Sequence, residues 1–518
     1  MHKIILAGMS NDVFTENIYN FLSKKGLKII NFTGHKDWVS ESVWDTVSIL
    51  PSLKNRDIAS CFPNVTPILL DHETLKFFEP IRPYFNRIID RFFLETKSNR
   101  YVEEYYNDLI AYTIAYMKKS GPVSLLCSLY SPHSPMGLIT YRVCAYLDIP
   151  YVFGVRTTLD AKIMFSYNFD DNVSNFIEFK KSNFHYSYKN ITNSDLDGIL
   201  SKTDWALEAG KSINKVGFVL LAQKSNSGSL KSKIAHSKIV KPHLQWIKPI
   251  YDFINLVFFG KLLRNEFYGL NRLNALTLVL HNILNTRKIK KIIRKNAVNK
   301  IKNTKYVFFP LHYQPERTTD PDASYYTQQN LAIKLLSASI PDNFHIYVKE
   351  HPRQLRDYFD IAKLNFRDKR FYEEISKISN VSFLETNLDT NELIQNASLV
   401  ATCNGSALWE ALLNDIPTLS FGFCWHEYCS STVRFKNVIE TSKDIKDLLG
   451  KTKNEVNQDV KDFIMHNKDC FVPTTFGSMM ANEQDFDNNK LSENFALAVM
   501  EILDYCDMQE EHRSEHGL

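Results

Sequence analysis

Leu399-Val-Ala-Thr-Cys-Asn-Gly-Ser-Ala-Leu-Trp-Glu-Ala-Leu-Leu-Asn-Asp-Ile-Pro-Thr-Leu-Ser-Phe-Gly422 reads as strand, turn, helix and strand in close succession. The outer runs, 399–402 and 417–421, are short and nearly continuously apolar, the pattern of strands covered on both faces. Residues 407–413 carry helical spacing, Gly405 permits a tight turn, and Ser406 is the expected helix cap. Working outward, the alternation persists: strands at 306–311, 344–349 and 381–384, helices at 328–339, 372–378 and 391–396. This predicts a Rossmann-like, doubly wound parallel sheet. The same grammar opens the chain, with strands at 3–8 and 27–32 around a helix bearing Val13, Ile18 and Leu22, and again at 124–129 and 151–155. The expectation is an α/β protein of two Rossmann-like domains.

Between them the pattern changes. No acidic residue occurs from Phe267 to Pro315, and Arg287, Lys288, Lys290, Lys291, Arg294, Lys295, Lys300, Lys302 and Lys305 are interleaved with Ile289, Ile292, Ile293 and Ile301. A helix here is basic and amphipathic, suited either to an anionic membrane surface through 287–305 or to a solvated face on a linking helix pair. The expected organisation is therefore 1–225 as an N-terminal Rossmann-like domain, 226–304 as a basic helical insertion, 305–485 as a C-terminal Rossmann-like domain, and 486–518 as a terminal helix with a charged tail.

Composition narrows the class. With 44% hydrophobic and 23% charged residues over 518 positions, the chain is globular, and a net charge of +4 is too small to imply nucleic acid. Eight scattered cysteines suit a reducing compartment, and the run Lys3 to Gly8 is too short for a signal peptide. No stretch reaches the roughly 20 apolar residues that span a bilayer. The expected location is cytoplasmic, with membrane contact only at the surface. Cys424, His426 and Cys429 have a spacing that invites zinc, but no second ligand pair accompanies them, so no metal and no cofactor is expected. Trp425 and Tyr428 beside them suggest packing or base stacking.

In an open parallel sheet ligands bind beyond the carboxyl ends of the strands. Three polar clusters of the second domain fall there: Leu311 to Asp320, which includes Gln314, Glu316 and Arg317; Lys349-Glu-His-Pro352; and Thr402-Cys-Asn-Gly-Ser406, followed by Glu410. Free amides at Asn404, Gly405 and Ser406 can hold a phosphate, Glu410 can accept from ribose hydroxyls, and Lys349 and His351 can offset charge on a departing nucleotide, presented by Pro352. For proton transfer the candidates are Glu316 on the loop after the strand 306–311 and Asp12 or His133 at N-terminal strand ends; helix capping or loop bonding is the competing role for the last two.

The stretch 306–319, Lys349-Glu-His-Pro352, and Asn404-Gly-Ser406 through Glu410-Ala-Leu412 resemble bacterial capsule and surface polysaccharide synthesis proteins, including the Kdo transferases; Ser131-Pro-His-Ser-Pro135 adds to the likeness. The resemblance implies a GT-B fold and a metal-independent glycosyltransferase, with 1–225 as the acceptor-binding domain and 305–485 as the nucleotide-sugar-binding domain. Its substrates would be a nucleotide sugar, CMP-linked among the options, and a saccharide or lipid-linked saccharide acceptor. His351 and Pro352 match the family's His-Pro element for the nucleotide phosphate, and Gln314 and Glu316 its glutamine-proline-acid element near the donor. Some members carry two catalytic modules in tandem, whereas this chain has one plus a basic segment. Two other readings stand beside it: a non-hydrolysing sugar-nucleotide epimerase, and a non-catalytic subunit of a polysaccharide assembly complex.

Overall fold

The structure, a computed structural model, describes residues 2–9, 13–33, 45–48, 58–91 save 63, 98–169 save 160 and 168, 176–201, 272–355 save 302–304 and 318, 363–364, 366–475 and 486–515. Fourteen strands are described. Lys3–Ala7 (β1), Lys28–Thr33 (β2), Asp45–Ser48 (β3), Leu125–Ser128 (β4), Tyr151–Arg156 (β5) and Lys162–Ser166 (β6) lie in the first half of the chain. Ala297–Val298 (β7), Tyr306–Pro310 (β8), His345–Lys349 (β9), Val381–Leu384 (β10), Leu399–Thr402 (β11), Thr418–Ser420 (β12), Thr432–Arg434 (β13) and Val472–Pro473 (β14) follow.

They form two sheets. The first runs β14-β6-β5-β4-β1-β2-β3, parallel from β5 to β3 and antiparallel where β6 meets β5 and β14. The apolar β1 is covered on both faces: Ile4 and Leu6 pack with Phe14, Ile18 and Leu22 of the helix Val13–Lys24, and Ile5 and Ala7 enter the opposite core. The second sheet, β13-β12-β11-β8-β9-β10-β7, is parallel throughout. From β8 the chain winds to β9 and β10 on one side, then returns to β11, β12 and β13 on the other. The direction reverses between β8 and β11, the place where such sheets open a ligand crevice. The two doubly wound α/β domains are as the sequence implies.

Two expected boundaries move. The helix Arg272–Asn296 does not stand between the domains: Ile289 and Ile293 are buried in the core of the second sheet's helices, and β7 extends that sheet past β10. Isoleucines placed every fourth residue find a better partner in that core than in solvent or lipid, so the second domain begins inside the segment expected as an insertion. Residues 202–271, the rest of that segment and the end of the expected first domain, lie outside the described residues. At the other limit, β14 falls within 305–485 yet pairs with β6 of the first sheet. The helix Asn488–Glu515 then buries Leu491, Phe495 and Val499 beside Ile4 and Leu6, so the chain ends by returning to the domain where it began. Among the described residues no helix is long and apolar enough to cross a membrane.

Candidate functional site

The crevice at the reversal is built from the loops that leave β8 and β11. After β11, Asn404 and Gly405 lead into the helix Ser406–Leu413, whose buried Leu408, Trp409, Ala411 and Leu412 fix its axis. Gly405, at φ 95°, occupies the cap position with no side-chain bond; Ser406 is the first helical residue and does not cap, contrary to expectation. A Cβ added to Gly405 would lie 2.6 Å from Cε1 of His312, which leaves β8 alongside, so only glycine lets the two loops approach. Nε2 of His312 accepts the Asn404 backbone N–H at 3.3 Å. Burial pushes this imidazole down to about 4, so it is neutral and the acceptor role is available near neutral pH.

Beneath this turn lies a closed polar network. Arg367 and Glu350, both fully buried, pair at 2.7 Å, and Tyr372 donates to the same carboxylate. The guanidinium also donates to Gln314 Oε1 at 3.1 Å and to the His312 carbonyl. Gln314 is 2% exposed; its amide donates to the Thr327 carbonyl at 2.9 Å, and its oxygen also accepts from Gln329. Gln314 is therefore engaged in the scaffold, and not in a surface that meets a ligand.

A cavity of about 260 Å³ opens between the two sheets. From the second domain it is lined by Arg317, Asp322, Asn404, Gly405, Ser406, Phe423, Trp425 and Arg434; from the first by Tyr84, Ser131, Phe153, Arg156, Thr157 and Phe169. Three arginines enter from three different elements. Arg317 lies 3.5 Å from Asp322, whose other carboxylate oxygen accepts from Ser131 across the domains at 3.0 Å, and burial holds the Asp322 carboxyl above its usual range. Arg434, the last residue of β13, stands 3.6 Å from Glu427. Asn404 is 3% exposed and its Oδ1 has no hydrogen-bond partner among the described residues. A buried amide oxygen left in this state costs about 1–3 kcal/mol, which a donor arriving in the cavity would relieve.

Of the residues expected from sequence to bind the donor or transfer a proton, Arg317, Asn404, Gly405 and Ser406 line this cavity; Gln314, Glu316, Lys349, His351, Pro352, Glu410 and His133 do not. Lys349 is 6% exposed and donates to Thr390 Oγ1 at 2.5 Å; burial lowers its ammonium pKa, with Asp389 opposing. His351 accepts the Arg353 amide on Nδ1 at 3.2 Å, and burial pushes it down to about 3, so the ring is uncharged near neutral pH. Pro352 opens the short turn of helix Pro352–Leu355. Glu316 contributes its carbonyl to the amides of Thr319 and Asp320. Burial raises the Glu410 carboxyl, a bond to Ser406 opposing. His133 sits behind Ser131, with Nδ1 2.7 Å from the Ser131 carbonyl, and burial pushes it down to about 3. Asp12 lies outside the described residues.

Sequence reasoning passed over His312, Arg156 and Arg434. Arg156 and Arg434 each end a strand, so the strand-end rule applied to β5 and β13 would have found them; nothing in the sequence marked His312 as a partner of Gly405. Trp425 packs 4.5 Å from Trp409 as well as lining the cavity, and Cys424, His426 and Cys429 are all buried. Among the described residues no group of three or more acidic, histidine or cysteine side chains could hold a metal.

No family model matches the chain, and no curated protein matches it. Solved structures similar to it include a UDP-GlcNAc 2-epimerase from Methanocaldococcus jannaschii, 11% identical over 90% of this chain and 100% of that one, at a TM-score of 0.22. The β Kdo 2,7 transferase of Thermosulfurimonas dismutans KpsC is 10% identical over 72% and 86%, at 0.25. A variant of the wall teichoic acid polymerase TagF is 11% identical over 97% and 89%, at 0.20. Likeness at this level carries no argument about chemistry, which rests on the cavity itself.

Proposed function

We propose that this chain is a GT-B glycosyltransferase that moves a sugar from a nucleotide-sugar donor to an acceptor of the bacterial surface-polysaccharide or lipid-linked class. The observation that carries the reading is the Asn404–Gly405–Ser406 turn, with its orphaned Asn404 Oδ1, opening into a cavity that Arg156, Arg317 and Arg434 also enter. Helix amides at Ser406 can donate to a phosphate, and arginines hold charge there without a metal. Of the carboxylates on the loop after β8, Asp322 lines the cavity, and its raised pKa suits a proton acceptor. In the reaction the acceptor hydroxyl oxygen bonds to the anomeric carbon, its proton passes to Asp322, and the anomeric C–O bond breaks with its electron pair leaving on the nucleotide phosphate. Arg434 and the helix amides meet that charge. Because ligand sites commonly occupy about 300–1,000 Å³, a cavity near 260 Å³ requires the domains to part to admit a whole donor.

Calorimetric titration with CMP- and UDP-sugars, followed by turnover with saccharide acceptors read by mass and anomeric coupling, tests this. Transfer to an acceptor supports it. Epimerisation without acceptor would assign the chain to the epimerases, binding without turnover to a non-catalytic subunit, and failure to bind any nucleotide sugar overturns the reading.

A further inference from the structure

The helix Arg272–Asn296 turns its isoleucines inward, and what it leaves outside is a different surface from the one its sequence suggests. Ile289 and Ile293 are 3% and 4% exposed, whereas Leu280 and Leu284 stand 47% and 54% exposed. Arg287, Lys288, Lys291, Arg294 and Lys295 are exposed as well. At 100° per residue, positions 280, 284, 287, 288, 291, 294 and 295 fall on one side of the helix, opposite the buried Val279, Thr286, Ile289 and Ile293. None of the five exposed cations has an ion-pair partner among the described residues, and the segment carries no carboxylate between Glu266 and Glu316. The neighbouring helix Lys369–Ile375 adds exposed Lys369 and Arg370 against a single exposed Glu373, its preceding Asp368 being engaged as the cap.

We propose that this face is a docking surface for an anionic phospholipid bilayer, on which the helix lies in the interfacial plane. Uncompensated cations match a negatively charged headgroup layer, and two leucines on the same face supply the apolar contact that a purely electrostatic partner would not use. A protein partner would need carboxylates in register with five side chains spread over two turns. A bilayer presents charge everywhere and demands no register. The proposal is independent of the reaction assigned to the cavity.

Flotation of the full-length protein with vesicles tests it. The protein is expected to float with vesicles of phosphatidylcholine mixed with phosphatidylglycerol, to stay behind with phosphatidylcholine alone, and to be released by high salt. Charge reversal at Lys288→Glu, Lys291→Glu and Lys295→Glu should weaken binding more than roughly a hundredfold, since loss of three cations at about 1 kcal/mol each already gives that factor. Leu280→Ser with Leu284→Ser should weaken it roughly tenfold. These sites are exposed, so the unfolding transition serves as a check on the fold. A matched reversal at the exposed Lys443, Lys446 and Lys453 should leave binding unchanged. No flotation, equal binding to neutral vesicles, an equal loss in the matched control, or tighter binding to a single-stranded RNA oligonucleotide than to anionic vesicles at the same salt would each overturn it.

Discussion

Two loops flank the central strand β8 of the second sheet and look alike on paper: Lys349-Glu-His-Pro352 after β9 and Thr402-Cys-Asn-Gly-Ser406 after β11. Their physical states differ. In the first, Lys349, Glu350 and His351 are each satisfied within the protein, the carboxylate by Arg367 and Tyr372, the imidazole by a backbone amide, the ammonium by Thr390. In the second, Asn404 keeps an amide oxygen without a partner among the described residues, and Gly405 lines the cavity while packing so close to His312 that any side chain would collide. A polar cluster at a strand end can be a foundation or a receptacle, and the distinction lies in which hydrogen bonds are already made.

That contrast can be broken experimentally, beginning with the foundation. Arg367→Leu leaves Glu350 buried and unpaired, and denaturant unfolding should show a loss of about 3–5 kcal/mol. Retention of full stability would remove the distinction at its root. Acid comes next. His312 is held below its ordinary 6.5, at about 4, so the folded state binds fewer protons than the unfolded chain in that interval. Its contribution is complete above 6.5 and is lost as pH falls toward 4, amounting to about 3 kcal/mol. His133, His351 and His426 are held down as well, so His312→Asn should remove only its own part of the slope between these values, and an unaltered acid limb would show that this imidazole contributes none of it.

The receptacle should respond through ligand affinity instead. Gly405→Ala drives a Cβ into His312 and strains a positive φ, so nucleotide-sugar affinity measured by titration should fall by more than about tenfold, with a stability cost of about 1–3 kcal/mol. Asn404→Ala removes a group that is unpaired in the free protein. Stability should rise, by up to about 1–3 kcal/mol, while affinity drops roughly tenfold, the worth of a buried hydrogen bond. Smallest of all, His351→Ala should alter affinity by less than about threefold, since the ring is neutral and lies off the cavity lining. A large loss there would restore the phosphate role that its sequence context suggests.

The strand and helix periods made both sheets legible in advance, because buried parallel strands need apolar residues on each face and helices need a repeat near 3.6; Ile4 to Ala7 of β1, Tyr306 to Phe309 of β8, Ile346 to Val348 of β9 and Leu399 to Ala401 of β11 are such runs. The carboxyl ends of the strands were legible for the same reason, and so was the Asn404 to Ser406 turn, marked by its glycine. The cap at Ser406 was misplaced by one position because cap geometry depends on backbone angles that composition does not encode.

What the linear order alone determined, then, is a chain of two doubly wound α/β halves with polar loops at predictable ends. Only the tertiary structure decided which of those loops meet. Arg156 and Arg434 come from different sheets and stand 278 positions apart, a separation across which no local pattern operates, yet they line one cavity. The isoleucines at 289 and 293 likewise have an amphipathic period that suits lipid or protein equally, and the available core took them. The physical reason is common to both. Local propensity sets direction and period, whereas satisfaction of a buried group depends on neighbours that arrive from elsewhere in the chain.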